Sequence, residues 1–372
     1  MPTMTRQGGF SLIELMVGML VSMICMLAMM AAFAVYEGKK RTTTSGNDAQ
    51  QNGSYALYTL ERQLRSAGSG IVQGLNHGLW GCPVTAYTGG KKVLPAASLP
   101  APFASSGWPL TTRLVPVLIA SGGKNGSDVI GVVGGDSALQ VFSVAVSSTP
   151  STHGVVVSNA LGFFTGDYLI GTLSNGTCAM AHIASNDGTA TQVPSTTLVL
   201  DTPNSPTTGL QTTTNIFNIG PSPTFMLYGV DPSSGSLVSW DLLQRSVDNQ
   251  PAEITPIADG IVMVKALYGT QTSSSSNLTW QQPAGDWDIS KLTAGTNAAA
   301  VAMSQIKAIR VAIVAQSRLP EREADYKGEP KLTLFKDLPA DVRYSVPLDT
   351  QFRYQVYETT IPVRNAMVSQ FY

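Results

Sequence analysis

An uninterrupted apolar run near the N-terminus constrains the fold of this chain more than any other feature. It extends from Phe10 to Tyr36, and its only acidic or basic side chain is Glu14. As an α-helix with a rise of about 1.5 Å per residue, the run would be roughly 40 Å long, enough to cross a bilayer. The sequence therefore predicts a membrane-spanning helix at residues 10–36.

Two simpler explanations fit this segment less well. A cleaved secretory signal has a shorter apolar core and a small-residue cleavage site, which the stretch Glu37–Arg41 does not provide. An uncleaved signal anchor accounts for the length but leaves Glu14 unexplained. Because a charged side chain within a membrane helix is costly and usually functional, we expect Glu14 to have a role of its own.

The residues around Glu14 resemble a known processing motif. The sequence Gly9-Phe-Ser-Leu-Ile-Glu14-Leu-Met-Val is similar to the N-terminal motif of type IV pilins and of type II secretion pseudopilins. The resemblance implies a leader peptide at residues 1–9, cleavage after Gly9 by a prepilin peptidase, and N-methylation of Phe10. It also implies that Glu14 neutralises an N-terminal amine inside the fibre, since a buried carboxylate and a buried amine are tolerable only together.

Composition and charge indicate an extracytoplasmic protein. Only 13% of the residues are charged, against about 25% in a typical soluble domain. The net charge of −1 and the short basic block Lys39–Arg41 give no electrostatic reason to expect direct nucleic-acid binding. That block lies beyond the apolar run, so the positive-inside rule does not favour the cytoplasmic N-terminus that the pilin resemblance implies.

The three cysteines divide into one inside the apolar run and two beyond it. Cys25 is interpreted as a small buried hydrophobe of the helix. An oxidising compartment would allow Cys82 and Cys178 to pair, and we expect this disulfide, the alternative being two separate thiols. Their spacing fits no metal motif and the three histidines are scattered, so no metal or cofactor is predicted.

Beyond the membrane segment, the sequence predicts an amphipathic helical continuation at residues 37–70. Thr42–Gly46 is weak helix-forming sequence, and Asn47 or Asp48 is suited to cap a new stretch. Gly68-Ser-Gly70 is expected to end it. The residues that then share one face are Gly53, Leu57, Leu60 and Leu64.

Residues 71–372 are predicted to form a β-rich extracytoplasmic domain packed on the helix, so the fold class is α+β. We divide this domain into a β-rich insertion at 71–223 and a C-terminal part at 224–372. Turn-rich loops are expected at Ser148–Thr152 and Pro203–Gly209. Short strands are predicted at 128–133, 139–146, 167–171, 178–183 and 197–200.

The C-terminal part resembles PilW-type minor pilins. The similarity lies in the segments 258–269 and 306–317, in Trp280 and Trp287, and in Phe352–Asn365. The last of these ends in a Val-Arg-Asn signature that PilW proteins share with J-type pseudopilins. The large size and the lack of two cysteines near the C-terminus differ from a major pilin, so the chain is not expected to be the bulk fibre subunit.

Two strands are expected within this C-terminal part from alternation along the chain. In the first, Val262, Val264, Ala266 and Tyr268 should face one side, and Met263, Lys265 and Leu267 the other. In the second, Val311, Ile313 and Ala315 should alternate with Arg310, Ala312 and Val314.

The sequence offers little support for catalysis. It contains no Gly-x-Ser-x-Gly, no His-Glu-x-x-His and no phosphate-binding glycine loop. The carboxylate pairs Asp286 with Asp288 and Glu321 with Glu323 are more simply solvated loops, and two acids alone are a weak indication of Ca²⁺. We therefore expect a protein that is not an enzyme.

These features lead to one preferred hypothesis and two alternatives. The preferred one is a PilW-like minor pilin, held in the bacterial inner membrane with its C-terminal domain in the periplasm and then incorporated into the tip or priming complex of a type IV pilus. Its expected partners are the prepilin peptidase, other minor pilins, the major pilin, an inner-membrane assembly platform and a tip adhesin. The alternatives are a J-type pseudopilin of a type II secretion system and a signal-anchored binding module or enzyme unrelated to pili.

Overall fold

A computed structural model describes most of the chain. The described residues are 9, 11–71, 79–88, 91–123, 126–137, 143–151, 154–173, 175–184, 191–193, 195–200, 210, 215–244, 253–273, 277–321 and 326–368. Residues 1–8 of the predicted leader, Phe10, the predicted loop Pro203–Gly209 and Glu323 lie outside them.

One helix, α1 (Leu12–Ser66), runs from the apolar segment into the head without a break. The predicted new start at Asn47 or Asp48 is therefore wrong. The β-branched Thr42 and Thr43 are weak helix formers, but each hydroxyl donates to the carbonyl oxygen four residues earlier. The turns that follow are buried against the head, and such packing outweighs low propensity.

The outer half of α1 has one buried face, and the face predicted from the sequence is confirmed. Leu60 and Leu64 are fully buried and Leu57 is half-buried. The helix ends at Ser66, and Gly68 then takes a φ of 78°, which glycine adopts without strain. The buried residues of this face are Ser45, Ala49, Gly53, Ala56, Leu60 and Leu64.

The head that packs on this helix is mainly β. Its first strands are β1 (Val84–Thr88), β2 (Lys91–Leu94), β3 (Val117–Ala120), β4 (Val129–Gly134), β5 (Val144–Ser151), β6 (Gly154–Val157), β7 (Tyr168–Thr172), β8 (Cys178–His182), β9 (Thr197–Val199) and β10 (Asn215–Gly220). The remaining strands are β11 (Thr224–Asp231), β12 (Ser236–Asp241), β13 (Thr255–Asp259), β14 (Ile261–Thr270), β15 (Thr279–Gln281), β16 (Ile306–Gln316), β17 (Lys331–Leu334), β18 (Tyr344–Pro347) and β19 (Tyr354–Pro362). Among the described residues the head also has three short α-helices, α2 (Ile289–Leu292), α3 (Asn297–Gln305) and α4 (Arg364–Val368), and two 3₁₀ helices at Phe103–Ser105 and Gly285–Trp287.

Within the described ranges these strands form three sheets and a hairpin. The first sheet has eight strands in the order β2-β1-β8-β7-β10-β5-β6-β9, and the second has five in the order β13-β12-β11-β4-β3. The third is β15-β14-β16-β19, and β17 pairs with β18 alone. With one long helix packed on these sheets, the predicted α+β class is confirmed.

The predicted strand at 139–146 is displaced in the structure. The observed β5 begins at Val144 and continues to Ser151, so Ser148–Ser151 is strand rather than the predicted loop. Residues 138–142 lie outside the described ranges. Pairing with β6, which joins Val146 to Val157 and Ser148 to Val156, extends β5 into this Ser- and Thr-rich stretch.

The strands β14 and β16 lie at the centre of the third sheet and are buried on both faces. Val264, Ala266 and Tyr268 face the main core under α1, while Met263 and Leu267 face a second cluster under the β17–β18 hairpin. The alternation predicted for β16 is confirmed, since Val311 and Ile313 face the main core while Ala312 and Val314 face the second cluster. Val262 is an exception, because it packs under the hairpin beside Met263. A register shift between Ile261 and Met263 produces this change of side, so the predicted side of Val262 is wrong.

The two halves of the head share a sheet and a core. Strands β3 and β4 belong to the predicted insertion. β4 pairs with β11, whose first residue directly follows the end of that insertion at residue 223. The main core combines residues from α1 and from both sides of residue 223. A smaller core lies within the eight-stranded sheet around Phe163 and Leu198.

A buried ion pair joins the same two halves. Lys265 Nζ of β14 lies 2.8 Å from Asp128 Oδ1, and both side chains are fully buried. The carboxylate also accepts from Ala266 N and Gly122 N, each at 3.0 Å. Burial raises the pKa of Asp128, and the neighbouring Lys265 ammonium opposes that rise. The Tyr344 ring of the hairpin covers the ammonium at 4.7 Å.

Gly53 allows α1 to approach the third sheet closely. A Cβ atom at this position would lie 2.7 Å from Tyr357 Cδ2 and 3.1 Å from Ala315 Cβ. The Tyr357 hydroxyl crosses the same contact and donates to Gln50 O at 3.1 Å. The absence of a side chain at Gly53 therefore sets the distance between helix and sheet.

We predict that Gly53→Ala destabilises the head although alanine is the better helix former. Overpacking against Tyr357 should cost about 1–3 kcal/mol, offset in part by roughly 1 kcal/mol of helix propensity. Urea unfolding of the full chain in detergent, followed by tryptophan fluorescence, measures the free energy of unfolding.

Gly46→Ala is the matched control on the same helix. No atom lies within 4 Å of a Cβ atom at Gly46, so this variant should be more stable by up to about 1 kcal/mol. Equal effects of the two substitutions would contradict the packing role of Gly53.

Candidate assembly site

The start of α1 is organised by a reciprocal cap. Ser11 is the N-cap residue, and its Oγ accepts from Ile13 N at 3.3 Å. Glu14 Oε2 accepts from Ser11 N at 3.1 Å, which completes a capping box. Gly9 is exposed beside this cap, and Phe10 lies outside the described residues.

The cap gives Glu14 a second role that sequence reasoning missed. The pattern Ser11-x-x-Glu14 is a capping-box sequence, so it was visible in the chain. A carboxylate in the first turn also interacts favourably with the positive end of the helix dipole. The cap holds the Glu14 carboxylate at Ser11 N, and Ser11 is the residue that follows Phe10 in the chain.

The inner half of α1 presents its apolar side chains outward. From Leu12 to Tyr36 every described residue is exposed, and this helix is long and apolar enough to cross a membrane by length and composition. Cys25, interpreted from the sequence as a buried hydrophobe, is exposed on the isolated chain. Such a surface requires lipid or neighbouring helices to cover it.

The Val-Arg-Asn signature lies at the other end of the helix, where it joins α1 to the head. Asn365 Nδ2 donates to Ala67 O at 2.9 Å, just beyond the last turn of α1. Val363 is buried, and its N–H donates to Lys307 O at 2.9 Å. The Lys307 ammonium donates to Ala366 O at 2.9 Å, and burial lowers its pKa to about 8. The signature thus caps the end of α1 and is hydrogen-bonded to β16.

The structure brings Cys82 and Cys178 together. A disulfide joins them, with their Cα atoms 5.7 Å apart and a sequence separation of 96. Cys82 lies two positions before the start of β1, and Cys178 begins β8, which runs parallel to β1. In the chain-entropy account, closing a loop of this length constrains the unfolded state by nearly 4.7 kcal/mol.

The acidic pair considered for Ca²⁺ has a local explanation. Asp288 is the N-cap of α2, and its Oδ1 accepts from Ser290 N at 2.9 Å and from Ser290 Oγ at 2.6 Å. Among the described residues, no group of three or more His, Cys, Asp or Glu side chains is arranged to hold a metal ion. Glu321 is half-buried and accepts from Arg353 Nε at 2.9 Å.

Comparison with known proteins found one match near the N-terminus and one in the C-terminal part of the chain. Residues 227–365 match the family of type IV pilus-assembly protein W. The C-terminal part of the chain is therefore similar to that family. Residues 4–30 match the prokaryotic N-terminal methylation motif.

Other comparisons add less to this assignment. A type IV-like pilin from Thermus thermophilus is 10% identical to this chain, over 54% of this chain and 84% of that pilin, with a TM-score of 0.23. We draw no inference from a similarity of that level. Comparison with curated proteins gave no match.

We predict that the charge of Glu14 matters for assembly beyond its capping role. Glu14→Gln keeps a side chain that can complete the capping box but cannot neutralise a buried amine. Its incorporation into fibres should fall by about tenfold or more, because an unpaired buried charge costs several kcal/mol. Immunoblots of sheared fibres against total membrane protein measure this ratio.

Glu14→Val is the companion variant, since it removes both the cap and the charge. If Glu14→Gln assembles as well as the parent chain while Glu14→Val does not, Glu14 acts as a cap and the neutralisation hypothesis is wrong.

We also predict that Asn365→Ala loosens the junction between α1 and the head. Loss of the bond to Ala67 O should lower the free energy of unfolding by about 1 kcal/mol. Asn47→Ala, at an exposed position of the same helix, is the control and should not destabilise the chain. Unchanged stability of Asn365→Ala in urea unfolding would contradict the capping role.

Proposed function

We propose that this chain is a minor pilin that takes part in the assembly of a type IV pilus from the tip or priming complex. The observation that carries the proposal is the unbroken α1, which has an apolar exposed half and an outer half fixed to a large head. A prepilin peptidase cleaves after Gly9 and methylates the amine of Phe10. The processed helix then leaves the membrane and enters the bundle of helices at the fibre axis.

The two halves of α1 perform different parts of this assembly step. The apolar half, which the head leaves exposed, is covered by lipid in the membrane and by neighbouring pilin helices in the fibre. Its apolar side chains therefore pass from one apolar environment to the other without contact with water. Within that bundle Glu14 neutralises an N-terminal amine of a mature pilin chain, since either group alone would be costly. The outer half keeps the head attached through Gly53, Tyr357 and Asn365.

Placement at the tip or in a priming complex is supported by the size of the head. The eight-stranded sheet and its own small core extend the head beyond the region that matches the PilW family. A subunit with such an addition suits a terminal position better than a repeated one, because a terminal subunit has fewer neighbours around its head. Its partners are then the other minor pilins, the major pilin and the assembly platform of the inner membrane, with a tip adhesin above it.

The cellular location follows from the same events. Before assembly the chain is a single-pass protein of the bacterial inner membrane with its head in the periplasm, and afterwards it is part of an extracellular fibre. The disulfide between Cys82 and Cys178 suits an oxidising compartment on that side of the membrane.

A J-type pseudopilin of a type II secretion system is the second candidate function. The Val-Arg-Asn signature is common to both protein classes, and the same N-terminal motif serves both. The match of residues 227–365 to a pilus-assembly family favours the pilus.

Two measurements test the proposal. Mass spectrometry of the mature protein should find a chain that begins at N-methylated Phe10, whereas an intact Met1 or a cut after residue 36 would contradict both pilin-type functions. Deletion of the gene should abolish surface pili and twitching while exoprotein release stays normal. The reverse pattern would assign the chain to secretion.

A further inference from the structure

A charged cleft lies where α1 leaves its apolar half and first meets the head. It has a volume of about 420 Å³ and opens between the helix and the segment that follows β16. Its lining residues are Glu37, Lys40, Thr44, Ser45, Asp48, Arg318 and Leu319.

The wall of the cleft is held in place by side chains. Thr42 Oγ1 shares its one proton between Gly38 O at 3.2 Å and Glu321 Oε2 at 2.9 Å, and Glu321 Oε1 accepts from Arg353 Nε at 2.9 Å. Leu319 N donates to the buried Ser45 Oγ at 3.4 Å. The segment from Leu319 to Glu321 is therefore tied to the helix, and the cleft is part of the folded structure.

The position of the cleft along α1 relates it to the bilayer surface, provided that the apolar half spans the membrane before assembly as proposed above. With a rise of about 1.5 Å per residue, Lys40 lies roughly 6 Å and Asp48 roughly 18 Å beyond Tyr36. The headgroup layer adds about 5–7 Å outside each face of the hydrocarbon core. The lower rim of the cleft is thus level with the phospholipid headgroups.

The cleft carries both signs of charge, and Lys40 and Glu37 lie at its lower rim, whereas Asp48 lies beyond the headgroup layer. Lys40 and Arg318 are cationic and exposed, Glu37 is anionic and half-buried, and Asp48 is anionic and exposed. Lys40 Nζ lies 4.0 Å from Glu37 Oε1, with side chains 64% and 46% exposed. An ion pair that long and that hydrated is weak, so both groups remain able to bind a ligand. A ligand that pairs with Lys40, Arg318 and Glu37 together has a phosphate and an ammonium group close together.

From this position and charge pattern we infer that the cleft binds the headgroup of a zwitterionic phospholipid. The phosphate lies between Lys40 and Arg318, and the ethanolamine ammonium lies toward Glu37. Lipid binding seats the head on the membrane surface before assembly, and extraction of the helix breaks it. The basic residues on the outer side of the membrane, which conflict with the positive-inside rule, acquire a function in this way.

Native mass spectrometry of the full chain in detergent, with phosphatidylethanolamine added, tests the inference. We expect one retained lipid per chain. The double variant K40Q/R318Q should bind it about tenfold less tightly, because charge-assisted contacts to the phosphate are lost. The matched control R62Q/R65Q removes two exposed cations from the far end of the same helix and should bind like the parent chain.

A second pair of variants tests the role of the acid at the lower rim. E37Q should reverse the preference, so that phosphatidylglycerol, which lacks the ammonium, binds better than phosphatidylethanolamine, whereas D48N should bind like the parent chain. Equal binding by K40Q/R318Q and the parent chain would overturn the inference. So would a parent chain that prefers phosphatidylglycerol, or one in which inorganic phosphate displaces the lipid. The same spectra report whether Met1 is retained, so failure of the proposed processing is observed separately from failure of lipid binding.

Discussion

The packing of the outer half of α1 on the third sheet is the contact on which the rest of the structure depends. It places Leu60 and Leu64 in the main core and leaves the inner half of the helix without any cover from the head. Gly53 permits the close approach, Tyr357 fills it, and Asn365 caps the end of the helix. Because the helix is continuous, these contacts connect the head rigidly to the membrane segment.

This rigidity explains how a local event at the N-terminus can move a large head. The proposed cleavage and charge neutralisation would act near Glu14, more than fifty residues before the end of α1. A helix of that length without a hinge transmits displacement along its axis directly to the sheet that is bound to it. The threonines at positions 42 and 43 are consistent with this, because their hydroxyls bond back to the helix rather than interrupt it.

The sequence predicted the elements whose patterns are local. The apolar run, the face formed by Leu57, Leu60 and Leu64, and the alternation in β16 depend on spacing within one element. The continuity of α1 through Thr42 and the extent of β5 depend on contacts with distant segments, so propensity gave wrong boundaries. The change of side at Val262 depends on a bulge. At the candidate site, Glu14 was found through the cost of its charge, whereas its bond to Ser11 was overlooked although the pattern was present.

The ion pair between Asp128 and Lys265 has a consequence for how this head can be divided. Lys265 lies within the family-matched region. Its partner Asp128 and the strand β4, which pairs with β11, lie about a hundred residues before the first residue of that region. A chain cut back to the matched region would retain a buried ammonium without its carboxylate, at a cost of about 3–5 kcal/mol. The matched region is therefore not a transferable module. In this protein the strands before residue 223 belong to the unit that folds, because β4 pairs with β11 and the main core draws on both parts.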